Sequence, residues 1–525
     1  MTRPGDLYSC LAHTAAAAPK RTAFRTETLS IDYGELLRSV DRAADMFWRY
    51  GVRKHDAVAI VLRNSPEFVA AYFALSKLGA VAVPVNYMVS KKAELLHILE
   101  NSACKGVVTA SEFLPAYLGL RERLPSLFLM SVDHCEADNV IDFRSAVKHA
   151  HSHPQTRTTQ AGEHDVATIL YTSGTTGHPK GVLLTHHNLI RNAEAAIRVI
   201  GPSRKDVFMA LLPMFHTFSW TGNVIIPIML GCKTYISAAI TPPKTWLRAM
   251  GREGVTVMIA VPQIYSVLAK EARGFKKLFL KFWSMRKLRF CLSGAAPLPE
   301  QVRARFEKAF GLHILEGYGL TETSPIVAVT HPKAKKRGSV GRALPGVDIR
   351  IVDESGRHLG HGNEGEICVR GPNITKGYHA NPDATRELFT EDGWLKTGDI
   401  GVLDEEGFLF IRDRKKDMVI VKGLKVFPAQ IEQVIAGHPS VQEAAVIGIP
   451  DGSGNETMKC FCVPKKDREL DKTEISRFIK ANLDAYKRPR EVEIVKALPK
   501  NTMHKVLKRE LLRRELEKRA GTALE

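Results

Sequence analysis

Short apolar runs alternate with amphipathic stretches along the first third of this 525-residue chain. Residues 57–62 form an unbroken apolar run of strand length. Ser65 and Pro66 behind it supply a hydroxyl cap and a first-turn proline, predicting a helix through Lys77. Strands at 80–85 and 106–109 flank a helix at 91–101, and the alternation predicts a parallel α/β sheet. The periodicity lapses over 148–165, which reads as an exposed linker. His149, His151 and His153 stand there at alternate positions, and without a carboxylate or cysteine to complete a ligand set they read as solvated.

A second α/β region extends to about residue 345, and a Gly-rich, strand-patterned stretch covers 347–411. Beyond the charged run 412–417 the elements shorten. Helices are predicted at 429–436 and 472–485, strands at 443–449, 457–463 and 491–496, and a basic helix from 506. These form a small α+β unit behind a charged hinge, dividing the chain into 1–415 and 416–525.

Composition narrows the class. With 44% hydrophobic and 25% charged residues the chain is globular, neither disordered nor fibrous. Its net charge of +19 favours anionic partners, whether nucleotides, nucleic acid or acidic membranes. The eight scattered cysteines include no C-x-x-C pair, so neither disulfides nor a structural zinc is expected. Residues 224–230 are too short for a membrane span and contain Pro227, and the N-terminus carries Asp6 where a signal peptide would be apolar. A cytoplasmic protein is the expectation.

The sharpest local signal is YTSGTTGHPKG at 171–181. Four hydroxyls, three glycines and Lys180 suit a polyphosphate cradle, since glycine lets backbone N–H groups approach closely. It is not a Walker A loop, because Lys180 follows proline and precedes glycine, and 182–185 reads as strand.

Further motifs follow in order: LPMFHTF at 212–218, SGAAP at 293–297, EGYGLTE at 316–322, TGD at 397–399, RDRKKD at 412–417 and PKNTMHK at 499–505. In this series the chain resembles the adenylate-forming superfamily, most closely bacterial medium- and long-chain fatty acyl-CoA synthetases. The resemblance implies an α/β fold. A large N-terminal domain of stacked α/β subdomains and a distorted barrel-like part would precede a small mobile C-terminal domain. It implies that Thr172, Ser173, Gly174, Thr175, Thr176, Gly177 and Lys180 hold the ATP phosphates. Thr321 would touch the α-phosphate and Glu322 would hold Mg²⁺. Ala295, Ala296 and Tyr318 would enclose adenine, Asp399 would accept the ribose hydroxyls with Arg414 beside it, and Glu316, Gly317 and Ile411 would also belong to the ATP/AMP site.

Lys505 is the implied catalytic lysine, its ammonium bridging substrate carboxylate and α-phosphate. His504 precedes it where the family has glycine. Lys416 matches the pivot between adenylating and thioester-forming poses, Gly423 would line the tunnel for CoA, and His216 matches the gate between acyl pocket and tunnel. Two segments stay open. Residues 218–230 suit the wall of an aliphatic pocket or a buried core helix. Residues 273–290 hold seven Lys/Arg and no acid, with Phe275, Leu278, Phe279, Phe282 and Met285 on one helical face. They suit peripheral membrane contact or an ordinary surface helix.

The expected reaction is ATP- and Mg²⁺-dependent ligation of a medium- or long-chain fatty acid to CoA. An aryl or cyclic acid, or a carrier-protein acceptor, is the alternative within the class. A luciferase-like oxygenase, or a non-catalytic nucleotide- or nucleic-acid-binding protein, lies outside it. The ligase reading needs no nucleic-acid partner, and oligomeric state is not legible.

Overall fold

In the computed structural model, residues 4–522 are described, apart from 136, 173–178, 273, 422–423, 451–455, 467 and 502–504. Ser173, Gly174, Thr175, Thr176, Gly177, Gly423 and His504 therefore lie outside the described residues.

Ser65 Oγ accepts the Phe68 N–H at 3.2 Å, and the helix Pro66–Lys77 starts at Pro66 as the cap predicts. The strand Ala57–Val61 precedes it, and its unbroken apolar run has a plain cause. Val58 and Ile60 enter the principal core, while Ala57, Ala59 and Val61 enter a second cluster on the opposite face. A parallel strand covered on both sides has no polar face.

That strand belongs to a seven-stranded sheet, parallel throughout except for its last pair, the hairpin of Val166–Thr172 with Lys180–Thr185. A nine-stranded sheet has a parallel centre that includes Val207–Ala210, Val257–Ala260, Phe290–Ser293 and Ile314–Gly319. The principal core joins the two sheets. A five-stranded antiparallel sheet follows, with Leu395–Leu403 and Leu409–Arg414 at one side. Beyond Asp417, the strands Val441–Pro450, Glu456–Pro464 and Glu491–Ile494 form a smaller sheet with its own clusters on its two faces. The fold is α/β.

Two expectations change, and one open reading is decided. The stretch 148–165 is anchored: Thr156 is buried with its hydroxyl on Asp45, and the His153 ring lies 5.3 Å from Trp48. A buried carboxylate on the helix Tyr33–Arg49 needs partners, and this segment supplies them. Residues 218–230 are mainly core. Trp220 packs against Tyr72 at 4.2 Å and Phe68 at 5.4 Å, and Val224, Ile225 and Ile228 are buried.

Residues 273–290 are not one helix. Gly274–Phe279 is helical, Leu280–Ser284 widens into a π turn, and Phe290 starts a strand. The change of period buries Leu280 and Met285 but leaves Phe275 85% and Phe282 65% exposed.

Candidate active site

Parallel strands end together, and their following loops converge on a cleft of about 590 Å³, the usual ligand position in open α/β sheets. Thr172 and Lys180 reach it from the paired strands of the hairpin, and Gly294 and Ala295 from the turn after Phe290–Ser293. Ala295 holds φ at +65°, a conformation that costs a residue with a Cβ about 1–2 kcal/mol. Beside it the Phe218 ring packs so closely that a Cβ on Gly294 would meet Cζ at 2.8 Å.

Strand Ile314–Gly319 delivers Tyr318, Thr321 and Glu322. A Cβ on Gly319 would lie 1.7 Å from the Pro325 carbonyl oxygen, so the chain turns here only with glycine. Thr323 locks the turn, accepting from Leu320 N–H at 2.9 Å and donating to the Pro325 carbonyl at 2.6 Å. Thr375 N–H donates to the Glu322 carbonyl at 2.9 Å, and Tyr378 Oη donates to Glu322 Oε1 at 2.9 Å. Lys180 Nζ sits 5.1 Å over the Tyr378 ring. Burial, then the Glu322 charge, push the Tyr378 phenol well above its ordinary range.

Asp399 is 2% exposed. Its Oδ2 accepts from Tyr318 Oη at 2.6 Å, and its Oδ1 pairs with Arg414 Nε at 2.7 Å. Burial raises its carboxyl above the usual range, with Arg414 and the tyrosine opposing. Both carboxylate oxygens are thus engaged, one by Tyr318 and one by Arg414. Glu366 supports the same wall, accepting from Gly398 N–H at 3.3 Å and pairing with Lys415 at 2.7 Å.

Lys505 closes the cleft from the C-terminal unit, with Asn501 beside it. The Lys505 N–H donates to Asn501 Oδ1 at 2.9 Å, and the Asn501 N–H to the Lys505 carbonyl at 2.9 Å. The side chain keeps solvent access along the cleft, yet surrounding protein pulls its ammonium down to about 8. Arg414 and Lys416 add to that shift, and Asp399 opposes it. Lys416 lines the cleft too and is lowered chiefly by burial. His216 Nδ1 accepts the Phe218 N–H at 3.2 Å, and burial pulls the imidazole down to about 4, so it is neutral near pH 7.

The cleft thus gathers Thr172, Lys180, His216, Ala295, Gly317, Tyr318, Thr321, Glu322, Arg414, Lys416 and Lys505. Four sequence candidates stand apart from the lining, Asp399 among them, buried against Tyr318 and Arg414. Glu316 is ion-paired with Arg303, Ile411 pairs with Gly401 inside the antiparallel sheet, and Ala296 lies beyond the lining. Tyr378 and Glu366 were missed, because a lone tyrosine and a strand glutamate carry no local pattern. Lys180, Lys396, Arg414, Lys416 and Lys505 outnumber the cleft carboxylates, which suits a polyanion.

Together these features define an adenylate-forming enzyme. The AMP-binding enzyme family matches residues 11–379, and its C-terminal domain matches 430–505. A long-chain-fatty-acid–CoA ligase of Bacillus subtilis (strain 168) is 32% identical, covering 97% of this chain and 95% of its own. A feruloyl-CoA synthase of Amycolatopsis sp is 33% identical, covering 95% and 97%. ATP-bound MatB from Rhodopseudomonas palustris superposes with a TM-score of 0.88 at 30% identity, covering 97% of this chain and 99% of that one. Its apo form gives 0.78. The chain belongs to the AMP-binding enzyme family and is an AMP-forming acid–thiol ligase, using ATP and CoA.

Proposed function

We propose that this ligase activates a medium- or long-chain fatty acid as acyl-AMP and then passes the acyl group to CoA. A carboxylate oxygen attacks the α-phosphorus in line, and the bond to pyrophosphate breaks. The CoA sulfur then attacks the acyl carbonyl, and AMP leaves. The observation that carries this reading is Lys505 drawn into one cleft with Lys180, Thr321 and Glu322. There its ammonium neutralises charge as the carboxylate and α-phosphate approach.

In this reading Glu322, its Oε1 accepting from Tyr378, would hold Mg²⁺ as a hard carboxylate ligand. The ion supplies charge neutralisation on the phosphates. Tyr318 and Ala295 pack on the adenine, and the Asp399–Arg414 pair serves the ribose. Ser173, Gly174, Thr175, Thr176 and Gly177 complete the phosphate cradle. Residues 416–525 pivot at Lys416 against 1–415, bringing Gly423 to the CoA tunnel, with neutral His216 as its gate.

The fatty-acid preference rests on the name of the Bacillus relative; the feruloyl-CoA synthase supports an aryl acid as the second reading. Among the described residues no helix is long and apolar enough to cross a membrane. The exposed Phe275, Leu278, Phe279, Phe282 and Trp283, set among Lys276, Lys277, Lys281 and Arg286, support peripheral contact with anionic lipid.

Pyrophosphate release is measured with ATP and Mg²⁺ over straight-chain acids from acetate to stearate and several aryl acids, with and without CoA. A CoA-dependent maximum among the longer acids is expected. A maximum with aryl acids overturns the fatty-acid assignment, and turnover without CoA consumption overturns the acceptor.

A further inference from the structure

Away from the cleft, Glu163, His164 and His187 converge where the chain enters the hairpin Val166–Thr172/Lys180–Thr185 and leaves it for the helix His186–Ile200. Glu163 Oε1 lies 3.0 Å from His164 Nε2, and Glu163 Oε2 lies 3.9 Å from His187 Nδ1. The two imidazole centroids are 4.9 Å apart, and one donor atom from each residue falls within 4.8 Å of the other two.

The backbone beneath these donors is fixed. His187 N–H donates to the Glu163 carbonyl at 2.7 Å, His186 N–H to the Asp165 carbonyl at 3.2 Å, and Lys376 Nζ to the His164 carbonyl at 2.8 Å. Among the described residues, the buried His187 Nδ1 has no hydrogen-bond partner, because 3.9 Å to Glu163 is beyond hydrogen-bond range.

We propose that Glu163, His164 and His187 bind a divalent transition-metal ion of the zinc class, with water completing the coordination. Two imidazoles and one carboxylate are donors for zinc, cobalt or nickel, whereas magnesium takes oxygen ligands and keeps its waters. Tetrahedral ligation needs donor separations of about 3.3 Å. His164 and Glu163, 67% and 46% exposed, are free to rotate toward the half-buried His187 to reach them. Nearby cations set a limit on affinity: Lys376 touches the His164 carbonyl, Lys54 pairs with Asp165, and Arg191 lies one helical turn beyond His187.

The ion would tie the segment entering the hairpin to the helix leaving it. Val166 and Thr185 pair at that base, and Thr172 and Lys180 pair at the far end, at the cleft. Occupancy would therefore brace the hairpin that carries the phosphate-side residues.

The test uses the metal-free full-length protein, titrated with Co²⁺ in excess Mg²⁺ so that hard oxygen sites are filled. Visible ligand-field absorption is followed, with the Zn²⁺-induced thermal shift as a second readout. One equivalent with an intense four-coordinate spectrum is expected. His164→Ala and His187→Ala should each weaken binding by about tenfold or more, while His149→Ala, outside the cluster, leaves it unchanged. A weak six-coordinate spectrum in the wild type, or unaltered affinity in both cluster variants, overturns the proposal. If His187→Ala fails to fold, His164→Ala decides, because that side chain is mostly solvent-exposed. No readout involves turnover, so failure here is separate from failure of the ligase reading.

Discussion

The ammonium of Lys505 yields the most direct quantitative prediction. Burial first, then Arg414 and Lys416, pull it from the ordinary lysine range to about 8, with Asp399 and Asp417 opposing. The charged form is the one that neutralises carboxylate and phosphate, so the activity it supports is complete well below that value and lost above it. With a value near 8, about nine-tenths of free enzyme is charged at pH 7 and about one-tenth at pH 9, a roughly tenfold fall in kcat/KM for adenylation.

The cleft histidine and tyrosines leave that window clear. His216, pulled to about 4, stays neutral across it, and the Tyr318 and Tyr378 phenols are raised and stay protonated. Lys416 is also lowered, so the variant must identify the group. Bound ATP returns charge to Lys505, so the alkaline limb in kcat lies above the limb in kcat/KM.

The assay is single-turnover pyrophosphate release without CoA, at subsaturating ATP, from about pH 6 to about pH 10. Lys505→Arg should lose the limb, because guanidinium stays charged throughout. Lys505→Ala should lose about 10²–10³ in rate and show no limb. Thioester formation from supplied acyl-AMP should survive both substitutions. A wild-type limb near pH 10, or one that persists in Lys505→Arg, refutes the reasoning.

Two further outcomes are expected. Tyr378→Phe removes the 2.9 Å bond to Glu322, worth about 0.5–1.5 kcal/mol, and should lower adenylation kcat/KM about three- to tenfold. Thioesterification of supplied acyl-AMP should be unchanged, and an equal loss in both steps would sink the assignment. Phe275→Ser combined with Phe282→Ser removes the two most exposed rings of the basic segment. Partitioning onto phosphatidylglycerol vesicles should fall about tenfold or more, with turnover of a water-soluble acid unaffected. Undiminished cosedimentation would count against membrane contact through this segment.

What the sequence determined by itself is what neighbours along the chain decide. Ser65 and Pro66 start their helix because a cap needs a hydroxyl three residues ahead of an unpaired N–H, and that requirement is local. The apolar run ending before them is a strand because both its faces are covered. Glycine at 319 is required by a turn that its own successors make. Motif order likewise announced the cleft, since Thr172, Lys180, Tyr318, Glu322, Arg414 and Lys505 each sit at a strand end or turn.

Tertiary structure alone decided which side chains meet. Tyr378 reaches Glu322, Tyr318 reaches Asp399, and Arg303 on the helix Glu300–Phe310 withdraws Glu316, through the packing of elements distant in sequence. Periodicity could not tell that 218–230 packs mainly into the core, because a pocket wall and a core helix are equally apolar. Nor could it see that a π turn at Leu280–Ser284 would bury Met285 and leave Phe282 outside. Glu163, His164 and His187 are brought together only because the two hairpin strands pair in register. A chain's composition and period fix what each segment can bury, while sheet order and register fix what each segment then touches.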